Sequence, residues 1–253
     1  MKLMSVGLTD VGRKRNHNED SFVLDTDLQL FVVADGMGGH AGGARASDLA
    51  VKVIDKEMRN LWKLSESPFQ CQATLQDSPF SQYLREAVEQ ACVAIFSDAQ
   101  EDPQYAGMGT TVIALLLHQE YALFAHVGDS RAYLIRGNVI QQISEDHSLV
   151  NEQVKAGMIT PEEAKRSNYR NIITRSVGFE EEVLVDILGL STEPGDVFIL
   201  CSDGLANAVE DEEMKKIALS TFPFEEVPKR LIALANERGG EDNITVVIVK
   251  RVS

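Results

Sequence analysis

The chain has 253 residues, 44% of them hydrophobic and 25% charged, which suits one large globular domain or two small ones. Its 39 Asp and Glu outnumber 24 Lys and Arg, and a net charge of −15 argues against nucleic acid as a partner, since a polyanion needs a basic stripe. Three cysteines without CxxC spacing (Cys71, Cys92, Cys201) argue against a disulfide framework or a zinc site, and no 18-residue apolar run or signal-peptide start is present, so a soluble, cytoplasmic protein away from membranes is expected.

Residues 3–10 read as a first strand, followed by a polar turn, GRKRNHNED, over residues 12–20. Residues 21–25 and 28–34 read as a hairpin, the second strand being the apolar run that delivers Asp35 into a glycine-rich turn. Apolar residues at steps of three and four predict a helix over 44–62 and another over 80–99, joined by a polar surface connection at 63–79. Strands are expected at 109–117, 121–127, 131–135 and 138–143, a meander with turns at Gln119-Glu120 and Arg136-Gly137-Asn138. A polar, partly helical excursion covers 147–180, with Pro161 opening a short helix. Strands at 183–190 and 197–202, helices at 212–221 and 225–238, and a strand at 244–252 complete the chain. Cys201, inside VFILC, reads as core. No repeat or composition break divides residues 1–253, so a single domain is expected.

Acids mark the strand tips. FVVAD ends in Asp35, FAHVGD in Asp129 and FILCSD in Asp203, while Asp242 immediately precedes NITVVIV. One carboxylate at a strand edge is ordinarily a turn residue. Four of them, if they converge, repel one another unless a cation neutralises them, and an all-oxygen set favours Mg²⁺ or Mn²⁺ over zinc. Gly36-Met37-Gly38-Gly39-His40-Ala41 also fits a dinucleotide-binding G-x-G-x-x-A. Two features oppose that reading. Asp35 would face the pyrophosphate, and the helix after the glycines leads to another helix, not to a parallel strand. Arg15, four residues before Glu19 and five before Asp20, suits a phosphoryl group, whose oxygens a guanidinium binds in pairs.

Arg15-x-x-Asn18-Glu19-Asp20, Asp35-Gly36-Met37-Gly38-Gly39-His40, Gly109-Thr110-Thr111, Gly128-Asp129-Ser130-Arg131, Ser202-Asp203-Gly204 and Glu241-Asp242-Asn243 occur in this order. Together they resemble the bacterial branch of the PP2C (PPM) family of metal-dependent serine/threonine protein phosphatases, over residues 3–250. The resemblance implies an α+β fold, a four-layer αββα sandwich of two antiparallel sheets flanked by helices. It implies two Mn²⁺ or Mg²⁺ ions held by Asp35, the Gly36 carbonyl, Asp203 and Asp242. Asp129 with Asp203 matches a third, weaker site. Glu19 and Asp20 would hold metal-bound waters, and Arg15 the substrate phosphate.

The reaction expected on that basis is hydrolysis of phosphoserine and phosphothreonine in proteins, a metal-bridged hydroxide attacking phosphorus in line. No serine or cysteine nucleophile is required. The family's eukaryotic members carry His directly after the Asp-Gly pair, where this chain has Met37. The proton for the leaving alkoxide therefore falls to His40 or to a metal-bound water. His126 is read as a packed strand residue, His17 and His118 as surface, and His147 as a helix cap. The excursion at 147–180 matches a flap that gates or selects the substrate. Phosphoproteins are the expected partners, a bacterial-type Ser/Thr kinase the candidate counterpart, and a monomer the simplest state. Two other functions fit the same fold: a catalytically weak phosphoprotein-binding regulatory module, and a small-molecule phosphoesterase.

Overall fold

A computed structural model describes residues 1–38, 41–64 and 78–253. His40, Cys71 and most of the 63–79 connection lie outside the described residues. Two antiparallel sheets carry the fold. The first has the order β1-β11-β10-β7-β8, built from β1 (Leu3–Asp10), β7 (Arg131–Arg136), β8 (Val139–Gln142), β10 (Val197–Cys201) and β11 (Ile244–Arg251). The second has the order β2-β3-β5-β6-β9, from β2 (Asp20–Asp25), β3 (Leu30–Met37), β5 (Val112–His118), β6 (Tyr121–Val127) and β9 (Asp186–Ser191), with the short β4 (Gly109–Thr110) on β3.

The apolar runs read as unbroken because both faces of these strands are covered, and side chains alternate between the two faces. In β3, Phe31 and Val33 point to the seam between the sheets, where they meet Phe124 of β6 and Phe198 of β10. Leu30, Val32 and Ala34 point the other way, onto α1 (Ala41–Leu64) and α2 (Pro79–Glu101). On the first sheet Ile199 of β10 and Val246 and Ile248 of β11 face outward instead. There they pack on α6 (Asp211–Ser220) and α7 (Val227–Glu237). The result is the expected αββα sandwich. Its helices are amphipathic on the predicted stripes: Ala46, Ala50, Ile54 and Met58 of α1 are buried, as are Leu84, Val88, Ala91 and Ile95 of α2. Ser78 caps α2, its side chain accepting the Ser81 N–H. No helix among the described residues is long and apolar enough to cross a membrane.

Three sequence expectations change. The meander does not stay in one sheet. β5 and β6 pair in the second sheet, but β7 and β8 belong to the first, so Gly128-Asp129-Ser130 carries the chain across the seam. A turn signal marks that a strand ends; it does not report which sheet the next strand joins. The strand at 28–34 also runs further, to Met37, because Asp35 pairs with Asp20 of β2 and Gly36 with Thr110 of β4. Finally, the strand expected at 183–190 begins only at Asp186.

The 147–180 excursion holds α3 (Leu149–Lys155) and α4 (Pro161–Arg166). A capping box closes the N-terminus of α4: Thr160 and Glu163 each hydrogen-bond the other's backbone N–H. The excursion is tied down at its base by bridges between Ser148 and Ile173 and between Thr110 and Val177.

Candidate metal centre

The site forms where segments from both sheets meet. The β2–β3 pairing sets Asp20 opposite Asp35. The inter-sheet crossing brings Asp129, the step from β10 into α5 (Asp203–Ala206) brings Asp203, and the residue two before β11 is Asp242. Arg15, Glu19, Asp35, Gly36, Asp129, Asp203 and Asp242 line one cavity of about 410 Å³. Lys14, Thr111, Asn171 and Ile173 line it as well, the last two from the 147–180 excursion. Of the predicted site residues, Asp20 lies outside the lining and His40 outside the described residues.

Asp20 is buried behind Asp35. Its Oδ2 accepts the Ser202 hydroxyl at 2.8 Å and the Thr245 hydroxyl at 2.6 Å. Thr245 N–H donates in turn to Ser202 Oγ at 2.9 Å. Ser202 thus serves a buried network and is not free as a nucleophile. Burial, then repulsion from Asp20 and Asp203, pushes the Asp35 carboxyl well above the usual carboxylate range. Burial, then Asp129 and Asp242, does the same to Asp203. Asp20 and Asp129 are each raised to about 6, chiefly by burial.

Among the described residues no three His, Cys, Asp or Glu side chains are closed around one point as a ready-made coordination shell. The acids instead face one another across the cavity, and the buried Oδ1 atoms of Asp203 and Asp20 have no hydrogen-bond partner. Buried unpaired carboxylate oxygens beside other carboxylates are costly unless something positive completes them. An all-carboxylate and carbonyl donor set suits hard divalent cations, so these residues fit Mg²⁺ or Mn²⁺.

Arg15 is half exposed at the rim and donates from Nη2 to Asp242 Oδ2 at 2.7 Å, which leaves its other N–H groups for a ligand. Asn243, which the sequence offered only as part of a motif, holds this rim together. Its Oδ1 accepts the Glu19 N–H at 2.8 Å, and its Nδ2 donates to the carbonyls of Val11 and His17, both at 2.9 Å. A polar residue leading into the apolar β11 was the available signal.

The motif glycines do something the sequence did not reveal. A side chain at Gly36 would collide with the Gly43 carbonyl, and one at Gly204 with the Asn243 carbonyl. They let the site's own segments touch each other, beyond any approach to a ligand.

The histidines are sorted by burial. His126 is fully buried, as expected, its ring 4.7 Å from that of His147. His17 is exposed. His118, expected at the surface, is partly buried against the rings of Trp62 and Phe80. His147 does not cap α3: that role falls to Ser148, whose side chain accepts the Asn151 N–H. A hydroxyl reaches the helix backbone better than a ring does, and the imidazole is engaged elsewhere.

Residues 12–245 match the family profile described as protein phosphatase 2C. A serine/threonine phosphatase, stp, from Listeria monocytogenes is 38% identical over 246 residues, covering 96% of this chain and 94% of that protein. The crystal structure of the Mycobacterium tuberculosis serine/threonine phosphatase PstP/Ppp superposes with a TM-score of 0.86 at 34% identity, covering 99% of each chain. A PstP catalytic domain in complex with two manganese ions superposes at 0.84, also 34% identical and covering 99% of each chain.

Proposed function

This chain belongs to the protein phosphatase 2C family, and on that premise we propose how its residues divide the work of a metal-dependent protein serine/threonine phosphatase. The enzyme hydrolyses phosphoserine and phosphothreonine in proteins and uses Mn²⁺ or Mg²⁺. The observation that carries the residue assignment is the convergence of Asp35, Asp129, Asp203 and Asp242, from both sheets, on one cavity.

When bound, the two cations supply Lewis acidity that activates water toward phosphorus and offsets charge on the phosphoryl oxygens. Asp35, the Gly36 carbonyl, Asp203 and Asp242 would hold them, and Asp129 with Asp203 a third. Arg15 binds the phosphoryl oxygens through the donors that Asp242 leaves unused. Glu19 and Asp20 support this set from outside: Asp20 presses its charge on Asp35 while two hydroxyls fix its orientation. His40 is the proposed proton donor to the leaving alkoxide. The catalytic unit is one domain over residues 1–253, with the excursion at 147–180 as its flap; Asn171 and Ile173 in the cavity wall support that role. The working form is a cytoplasmic monomer acting on phosphoproteins opposite a Ser/Thr kinase, its acidic charge disfavouring nucleic acid and anionic membranes.

The test is phosphate release from a phosphothreonyl peptide and from nitrophenyl phosphate. Activity should require Mn²⁺ or Mg²⁺ and vanish with EDTA. Asp35→Ala should lose more than the roughly 100-fold that outer partners of a metal site cost. Arg15→Ala should chiefly raise KM, by about tenfold, in line with ~1.5–3 kcal/mol for a hydrogen bond to a charged group. Full turnover in EDTA would refute the assignment.

A further inference from the structure

The turn that carries Asp129 is anchored on every side except at Asp129 itself. Ser130 Oγ lies 2.7 Å from Thr111 Oγ1. The Arg131 guanidinium grips Asp146, with Nη2 donating at 2.7 Å and Nε at 3.0 Å. Gly128, in a left-handed conformation with φ 105°, is held twice by one residue. The His147 N–H donates to the Gly128 carbonyl at 2.8 Å, and the Gly128 N–H donates to His147 Nδ1 at 3.0 Å. A side chain at Gly128 would overlap Thr111, so the turn also sits tightly against the residue between β4 and β5.

The second of these bonds fixes the imidazole's proton. If Nδ1 accepts, the neutral ring carries its proton on Nε2, and Nε2 lies 3.2 Å from Asp186 Oδ2. Asp186 is itself held by Arg175, whose Nη1 donates to Oδ1 at 2.7 Å and to the Leu184 carbonyl at 3.0 Å. His147 is buried, and burial lowers its affinity for a proton, which keeps Nδ1 available as an acceptor.

We propose that His147 is a positioning residue: through its double hold on Gly128, with the Asp186–Arg175 pair fixing its tautomer, it aims the Asp129 carboxylate into the cavity for the weakest of the bound cations. This rests on the assignment of Asp129 to that cation. The hold also joins two separate motifs, since Asp146-His147-Ser148 locks Arg131 from 15 residues away, locks Gly128 from 19 and caps α3 in turn.

Two near-isosteric substitutions separate the two ring nitrogens. His147→Asn keeps an acceptor near the position of Nδ1 but loses the reach to Asp186. His147→Gln keeps the reach and loses the acceptor beside Gly128. Mn²⁺ binding to wild type, both variants and Asp129→Asn is followed by titration calorimetry, with thermal unfolding of each as the check on folding. The expected result is that His147→Gln weakens the last Mn²⁺ to bind by about tenfold, the low end for an outer partner of a metal site, and leaves the tighter ions unchanged. His147→Asn recovers most of that loss. Wild-type affinity at every site in His147→Gln overturns the proposal, as does equal weakening of all sites in both variants, which would mark general structural damage. If wild type and Asp129→Asn bind the same number of ions with the same affinities, the assignment of Asp129 itself fails, and the proposal with it.

Discussion

A carboxylate in this site is defined less by its own chemistry than by what surrounds it. Asp20 and Asp35 face each other across two paired strands, yet one has a carboxylate oxygen held by two hydroxyls and the other opens onto the cavity. Only the family resemblance assigned them different roles; the local residue pattern shows both as acids next to apolar strands, because hydroxyls 182 and 225 residues away hold Asp20. The four strand-tip acids, Asp35, Asp129, Asp203 and Asp242, were legible as candidates because acids at the tips of apolar runs are conspicuous, and Arg15 by its place ahead of Glu19 and Asp20. The employment of His147 was not, because its partner Gly128 is a backbone group and leaves no trace in the residue pattern. His126 yields a test at this scale. Burial, then the neighbouring His147, lowers its pKa from 6.5 to about 3. The unfolded chain therefore binds the proton first as the solution is acidified. The stability that comes from keeping His126 neutral is complete above pH 6.5 and drains away between there and about 3. The raised carboxyls of Asp20 and Asp129 act in the opposite direction in ion-free protein, so only the difference between wild type and variant isolates the histidine. The stability of wild type relative to His126→Leu should therefore fall as the pH drops through that window, measured by urea denaturation of both in EDTA. A difference that stays constant with pH would refute the burial argument.

The elements were legible wherever period and turn chemistry act alone. The paired helices α1 and α2 show this, because a 3.6-residue apolar stripe is a local signal. The path from β6 to β7 was not, since joining one sheet or the other depends on the seam and not on the turn. The α5 segment shows how an element can be set by a single close approach. Gly204 packs against the Asn243 carbonyl, so the strand that delivers Asp203 and the one preceded by Asp242 are held in contact. Gly204→Ala should cost about 1–3 kcal/mol, the usual range for forcing an atom into filled space, and should weaken Mn²⁺ binding along with stability. Denaturant titration with and without Mn²⁺ measures both. The proposed flap role of the 147–180 excursion is testable as a unit. Deleting residues 157–170 removes α4 while keeping the bridges at its base. Turnover of a phosphoprotein should fall relative to nitrophenyl phosphate; equal effects on both substrates would mean that the excursion is passive.

The whole molecule is two sheets glued by an apolar seam of Phe31, Phe124, Phe198 and their neighbours, with mutually repelling acids gathered where the sheets come together. Each sheet supplies part of the acidic set: Asp20 and Asp35 come from the second, Asp203 and Asp242 from strand ends of the first, and Asp129 from the crossing between them. Repulsion among them works against the seam, and divalent ions reverse its sign. An ion bound only by the folded chain adds ~2.7 kcal/mol at a hundredfold excess over its Kd. Mn²⁺ should therefore raise Tm by several degrees and EDTA lower it, by scanning calorimetry, with the gain lost in Asp35→Ala. Because the proposed ligands straddle both halves, metallation would also act as a rivet. A chain that has not collected its cations is the one most readily pried apart, so limited proteolysis should clear empty protein well before loaded protein. Scarcity of divalent ions would then thin the population of inactive copies and not merely idle them.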